Sequence, residues 1–219
     1  MKQQNEEKKM VKILVADDHA IVREGLKQVL AGTLDMTVAG EAANGNELLE
    51  KIRASHWDVV LLDLNMPDRS GLDTLKQLKN ERPRLPVLIL SMYPEEYYAL
   101  RVLKAGASGY LTKESAPDCL VAAIRKVSAG GKYISTSLAE RLAFEFETDF
   151  DGPLHRTLSD REYQVLCLIA SGQSIKEIAQ RLALSVKSIS TYRARILQKM
   201  KMKSNADLIH YAIQNHLID

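Results

Sequence analysis

Asp58-Val59-Val60-Leu61-Leu62-Asp63-Leu64-Asn65-Met66-Pro67 is the stretch on which the fold turns. Four consecutive apolar residues lead into one carboxylate, and turn formers follow at once. An apolar run this short, bounded by turn signals, fits a parallel strand buried on both faces. Asp63 then stands at the strand's carboxyl end, where open α/β sheets place ligand chemistry. A lone acid there could equally cap a helix or hold a turn, so its neighbours must decide its role.

Similar units flank it on both sides. Lys12 to Ala16 is an apolar run ending in Asp17-Asp18-His19, followed by an amphipathic pattern through Ile21, Val22, Leu26, Val29 and Leu30. A strand over Met36–Ala42 and a helix over Asn46–Ala54 come before the opening stretch. After it come a helix through Gly71, Leu72, Leu75 and Leu78, then a strand over Val87–Leu90 ending in Ser91. A helix over Tyr97–Ala105, a short strand over Gly109–Lys113 and a helix over Pro117–Val127 complete the set. Five βα units in about 120 residues predict a parallel sheet with helices on both faces. The natural order is 2-1-3-4-5, as in flavodoxin-like folds.

The strand ends then converge: Asp17 and Asp18, Asp63, Ser91 and Lys113 share one edge of the sheet. Three carboxylates packed together need a cation, and hard oxygen donors favour Mg²⁺ or another divalent ion such as Mn²⁺. A lysine and a small hydroxyl opposite the metal suit phosphoryl oxygens, with Asp63 the best-placed nucleophile for an acyl phosphate. No glycine-rich phosphate loop follows the first strand.

Composition bounds the rest. A 46% hydrophobic and 26% charged chain of 219 residues is ordinary for one or two soluble globular domains. No apolar run approaches the ~18 residues that would span a bilayer, so no membrane role is expected. The charged start, Met1 to Met10, reads as a frayed leader without a secretory signal. Cys119 and Cys167 lie far apart in apolar helical patterns, and the five histidines show no ligand spacing with cysteines or one another. Both cysteines are expected to be reduced core residues of a cytoplasmic protein. The net charge of +2 hides an asymmetry: residues 1–153 carry 20 Lys+Arg against 23 Asp+Glu, and residues 154–219 carry 10 against 5. A basic tail points to nucleic acid.

That tail reads as four helices. Ser159-Asp-Arg-Glu162, Ser174-Ile-Lys-Glu177 and Ser204-Asn-Ala-Asp207 have the capping-box form, and Ser185 can cap the remaining helix. The short turn Leu182-Ala183-Leu184-Ser185 joins the second helix to a basic third, a helix-turn-helix arrangement. At 100° per residue, Val186, Ile189, Ile196, Leu197 and Met200 share one side of that third helix. Lys187, Thr191, Ala194, Arg195 and Gln198 share the other. Small and cationic residues there could approach base edges and phosphates, with Lys199, Lys201 and Lys203 extending the positive field. Arg193 falls near the apolar side, fit either for a structural ion pair with a partner such as Glu162 or for a phosphate contact. Between the halves, Gly130-Gly131 ends a helix, Leu138 to Phe146 has helical spacing, and Glu147 to Pro153 is an acidic, breaker-rich linker.

The set Asp17-Asp18, Asp63, Ser91 and Lys113 resembles the receiver domain of two-component response regulators, as do Asp63-Leu-Asn-Met-Pro67 with Gly71 and Ala105-Gly-Ala-Ser-Gly-Tyr-Leu-Thr-Lys113. The likeness implies that Asp63 accepts a phosphoryl group from a sensor histidine kinase. It implies a metal site of Asp17, Asp18, Asp63 and the Asn65 backbone carbonyl. Lys113 would pair with the phosphoryl group, Ser91 would move towards it, and Tyr110 would change rotamer in response. One departure is Glu114, where many receivers have a proline that takes a cis peptide. Leu158-Ser-x-Arg-Glu162, Val165-Leu166, Gly172, Lys176-Glu-Ile-Ala179, Leu182, Leu184-Ser-Val-Lys-Ser-Ile189 and Lys199-Met200 resemble the LuxR-type DNA-binding domain. Together the halves resemble the NarL/FixJ subfamily. The expected layout is a receiver over 11–128, a linker over 129–153 and the helix-turn-helix domain over 154–219. Lys187, Ser190, Thr191, Arg193, Ala194, Arg195, Gln198 and Lys199 are the candidate contacts to double-stranded promoter DNA, and the last helix, Asn205 to Asn215, is the candidate homodimer interface. The implied function is a phosphorylation-controlled, sequence-specific transcription regulator, not a turnover enzyme. An aspartyl-phosphate phosphatase is the competing class. Such enzymes commonly place a second acid two residues after the nucleophile, where this chain has Asn65.

Overall fold

The structure is a computed structural model that describes residues 10–66, 70–115, 117–136, 138–140, 153–215 and 217–218. The leader before Met10, the loop charges Asp68 and Arg69, most of the helix expected up to Phe146, and the acidic linker through Gly152 lie outside the described residues. The chain divides into two compact units: one runs up to Met92 and continues over Arg101–Ile134, and the other holds Tyr93–Leu100 and the chain from Ser135 on.

The first unit contains the sheet. Strands β1 (Val11–Ala16), β2 (Met36–Ala42), β3 (Val59–Asp63), β4 (Val87–Ser91) and β5 (Gly109–Thr112) are all parallel, in the order β2-β1-β3-β4-β5. Every residue of β3 and β4 is buried, which is why these strands read as unbroken apolar runs. Helices α1 (Ala20–Ala31), α2 (Gly45–Ala54), α3 (Gly71–Glu81), α4 (Glu95–Lys104) and α5 (Pro117–Ser128) form the crossovers. Ile13, Val15, Val59, Leu61, Leu88 and Leu90 form one core cluster with Leu30 of α1 and Leu120, Ala123, Ile124 and Val127 of α5. Leu14, Val60, Leu62 and Ile89 alternate with these residues and are equally buried, so they serve the other face.

Two expectations fail in detail. Ile21, read as part of the apolar stripe of α1, is 83% exposed, and Leu30 carries the buried contact instead. Cys119 is exposed, because the buried stripe of α5 runs through Leu120, Ala123, Ile124 and Val127, while Cys167 is buried as expected. Neither cysteine is in a disulfide.

Among the described residues, the second unit holds a 3₁₀ turn (Leu154–Thr157) and helices α6 (Asp160–Ala170), α7 (Ile175–Arg181), α8 (Val186–Lys199) and α9 (Asn205–Gln214). All three capping boxes close with both reciprocal bonds, and Ser185 accepts from the Ser188 N–H. Gly172, at φ 81°, ends α6 in the left-handed region that glycine tolerates best.

Gly71 and Gly25 carry opposite expectations. A Cβ on Gly71 would lie 2.5 Å from the Asp63 carbonyl oxygen and 2.5 Å from Leu64 Cα, both backbone. A Cβ on Gly25, inside α1, meets nothing within 4 Å. In urea titrations of the full chain, Gly71→Ala should destabilise the sheet unit by about 1–3 kcal/mol, as overpacking does. Gly25→Ala should stabilise it by roughly 0.5–1 kcal/mol. Equal effects of the two changes would contradict the close packing of α3 on the end of β3.

Candidate phosphoacceptor site and nucleic-acid interface

Parallel order places the carboxyl ends of β1, β3, β4 and β5 on one edge, and the expected residues meet there. Asp17 is 2% and Asp63 1% exposed, so two carboxylates face each other almost without water. The Lys113 ammonium bridges them, 2.7 Å from Asp17 Oδ2 and 2.8 Å from Asp63 Oδ2. Burial pushes the Asp63 carboxyl above the usual aspartate range, with Asp17 adding to the rise and Lys113 offsetting part of it. Burial alone would lower the Lys113 ammonium, but Asp63 and Asp17 hold it above its ordinary value. The Asn65 N–H donates to Asp63 Oδ1 at 3.1 Å, and the Lys113 N–H donates to the Ser91 carbonyl at 2.7 Å. Ser91 is fully buried at the end of β4, and Tyr110, which pairs with Ile89 inside the sheet, is 3% exposed. The Lys113–Glu114 peptide is trans.

Two neighbours were not legible as site residues. His19 Nδ1 lies 2.8 Å from Asp18 Oδ1 and 3.3 Å from Asp17 Oδ1, a pairing with carboxylates that spacing to cysteines or other histidines does not reveal. The tripeptide Asp17-Asp18-His19 was the available signal. Arg23 donates from Nη1 to the Asp17 carbonyl at 2.7 Å and from Nε to Glu41 at 2.9 Å, which ties α1 to the end of β1. Asp17, Asp18, His19 and Asp63 each offer a ligand atom within 4.8 Å of the others. This oxygen-rich set around a buried charge deficit fits a divalent cation.

In the second unit, the buried side of α8 is Ile189, Ile196 and Met200, each no more than 1% exposed. Val186, expected with them, is 48% exposed at the first turn. Lys187, Ser190, Thr191, Ala194, Arg195 and Gln198 are all exposed, which makes a small, polar and cationic surface along one helix. Lys199 and Arg193 are engaged within the unit. Lys199 Nζ lies 2.6 Å from Glu162 Oε2, and Arg193 donates from Nε to Asn205 Oδ1 at 2.5 Å. The anticipated pairing of Arg193 with Glu162 is therefore not made; Lys199 takes that carboxylate. Glu162 is 3% exposed, and burial would raise its carboxyl, but Lys199 and the Ser159 cap hold it below the usual range.

A buried acidic site at the carboxyl edge of a five-stranded parallel sheet, followed by a basic helix-turn-helix, defines a response regulator with a DNA-binding output. Residues 13–125 match the response regulator receiver domain, and residues 156–212 match the bacterial regulatory proteins of the luxR family. The chain is 38% identical to the oxygen regulatory protein NreC of Staphylococcus carnosus over 95% of this chain and 100% of that one. It is 36% identical to the response regulator GacA of Pseudomonas syringae over 96% and 99%. Its fold is similar to that of the response regulator RcsB in a complex with DNA, with a TM-score of 0.57 and 27% identity over 93% of this chain and 98% of that one. The chain belongs to the NarL/FixJ-type two-component response regulators. Among the described residues, no helix is long and apolar enough to cross a membrane.

Two measurements test this geometry. Because the folded state raises the Asp63 pKa, it binds its proton more tightly than the unfolded chain does. The ionised carboxylate therefore destabilises the fold above that raised pKa, and the deficit fades as pH falls through it. In chelator at neutral pH, Asp63→Asn should melt higher than wild type, with the gap narrowing towards acid; a lower melting point would contradict the burial argument. Lys199→Met strands the Glu162 carboxylate and should destabilise the helical unit by about 1–3 kcal/mol, towards the low end because the Lys199 head is half in water. Lys187→Ala, on the open face, should leave stability within ~0.5 kcal/mol.

Proposed function

We propose that the chain receives a phosphoryl group on Asp63 from a sensor histidine kinase in the cytoplasm and uses it to control binding to promoter DNA. The observation that carries this reading is the Lys113 ammonium held 2.8 Å from Asp63 and 2.7 Å from Asp17. A buried carboxylate beside a fixed cation is placed to attack phosphorus and then to have the product's charge neutralised. Asp63 oxygen forms a bond to phosphorus as the kinase's phosphohistidine P–N bond breaks. Lys113 can then turn from the carboxylates to a phosphoryl oxygen. Asp17, Asp18 and Asp63, with the Asn65 backbone carbonyl, would hold Mg²⁺ or Mn²⁺, which would neutralise the phosphoryl charge during transfer. Asn65 offers no acid to speed hydrolysis, so the acyl phosphate persists as a message. Ser91 moves towards the new charge and Tyr110 changes rotamer in response, which shifts a two-state equilibrium.

The receiver spans 11–128, a linker spans 129–153 and the LuxR-type domain spans 154–219. In the output domain, α8 would enter the major groove, with Lys187, Ser190, Thr191, Ala194, Arg195 and Gln198 towards the DNA and Arg193 and Lys199 at the backbone margin. Dimerisation through α9 would pair two half-sites about one helical turn apart or closer. RcsB, a relative in fold, has been solved in complex with DNA, which supports this docking.

Affinity for a promoter fragment should rise when a stable acyl-phosphate analogue is bound to the wild type and stay at the resting level in Asp63→Ala under the same conditions. Equal affinity of all three forms would sink the switch while sparing DNA binding. Lys187→Ala should weaken binding at every salt concentration and reduce the slope of log K against log [salt] by roughly 1.

A further inference from the structure

Two adjoining cavities open at the amino-terminal edge of the sheet, at the opposite end of the strands from Asp63. One, of about 820 Å³, lies between the end of α2, the start of β3 and the loop before β4; Ile52, Trp57, Pro83, Leu85 and Pro86 give it apolar walls. The other, of about 400 Å³, is lined by Lys79, Arg84, Ser108 and Lys132. They share Pro83, Arg84, Pro86 and Gly130, so they form one groove of a size that small ligands occupy.

The charges of this groove do not balance. Its carboxylates are committed: Glu81 accepts from Arg53 at 2.6 and 2.7 Å, and Asp58 accepts from the Lys12 N–H at 2.9 Å. Among the described residues, Lys79, Lys132 and Arg84 have no carboxylate partner. Lys79 donates to the Leu85 carbonyl at 2.6 Å and Lys132 to the Ala107 carbonyl at 2.5 Å, which leaves each ammonium further N–H groups to give. Burial, with Lys132 nearby, brings the Lys79 ammonium down to about 8, and burial also lowers Lys132. Crowded, partly desolvated cations of this kind are relieved by an anion. Beside them Trp57 is fixed: its indole N–H donates to the Lys51 carbonyl at 2.9 Å, and its ring edge fills the space above Gly40 where a Cβ would lie 2.5 Å away.

We propose that this groove is a second ligand site, separate from the phosphoacceptor edge, for a small molecule that joins a phosphate or diphosphate to a planar ring. The anionic end sits among Lys79, Lys132 and Arg84. The ring lies in the larger cavity, beside Trp57 and Leu85.

The test is calorimetry on the full chain in chelator, which keeps metal from bringing phosphates to the acidic edge. The probes are inorganic pyrophosphate and ATP. Emission is followed in parallel from Trp57, the chain's one tryptophan. Saturable binding of ATP with a change in Trp57 emission is expected. It should weaken at least tenfold in a Lys79→Met/Lys132→Met variant that still takes a phosphoryl group from acetyl phosphate. Arg84→Gln, an exposed change that carries little folding risk, should weaken it severalfold. Absence of saturable binding of both probes would overturn the proposal, as would binding undiminished in these variants. Pyrophosphate binding as tightly as ATP, with Trp57 emission unmoved, would overturn the ring seat.

Discussion

Asp17 and Asp63, nearly sealed from water, cannot share the end of a sheet as bare charges, and the Lys113 ammonium between them meets that constraint. The cost of burying a carboxylate is large unless a partner and hydrogen bonds compensate it. Much of the first unit can be read as the means of holding that partner in place. Lys113 follows β5 directly, and its own N–H is fixed to the Ser91 carbonyl at the end of β4. Asp63 follows four buried residues of β3, so its backbone cannot withdraw. Gly71 lets α3 start against the Asp63 and Leu64 backbone with no room for a side chain. The site is thus an outcome of strand register, and its rigidity comes from the core beneath it.

The same arrangement fits the proposed role of Asp63 as a phosphoacceptor. Lys113 has one ammonium and two carboxylate partners, so any group that adds negative charge at Asp63 competes for it. Moving that ammonium changes the hydrogen bonding of a side chain that is 9% exposed, in a region where rearrangements are discrete because the packing is dense. Ser91 and Tyr110 are on the neighbouring strands and are equally enclosed. In the proposed switch, a charge placed on Asp63 would act on β4 and β5 with little solvent to screen it.

What the sequence made legible follows from which signals are periodic. Buried strands announce themselves as apolar runs, and the candidate site residues sit where each run stops, so Asp17, Asp63, Ser91 and Lys113 could be placed from order alone. The capping boxes at Ser159, Ser174 and Ser204 were equally plain, because their chemistry is local. Misreadings arose where the outcome depends on geometry between elements. Ile21 has helical spacing with Leu26 and Leu30 but stands at the first turn, beyond the reach of the sheet, and is exposed. Val186 is likewise exposed at the first turn of its own helix, α8. Arg193 and Lys199 both lie within reach of polar groups on other helices, and spacing on α8 alone could not say which would take Glu162.

That last assignment bears on how the output unit recognises anything. A helix that offers side chains to DNA must be stiff enough to present them in register, and α8 is held by more than its apolar side. At its far end Lys199 is anchored to Glu162, the same residue that closes the capping box of α6. One carboxylate thus ties the start of one helix to the end of another. In its middle Arg193 is tied to Asn205, at the start of α9. Two cations at the margin of the exposed face thus also fix the helix axis. The remaining exposed side chains, Lys187 through Gln198, are then displayed from a frame braced at both neighbours. Fixing a polar surface in this way lowers the ordering cost of binding, which is where a short recognition helix gains affinity without added contact area.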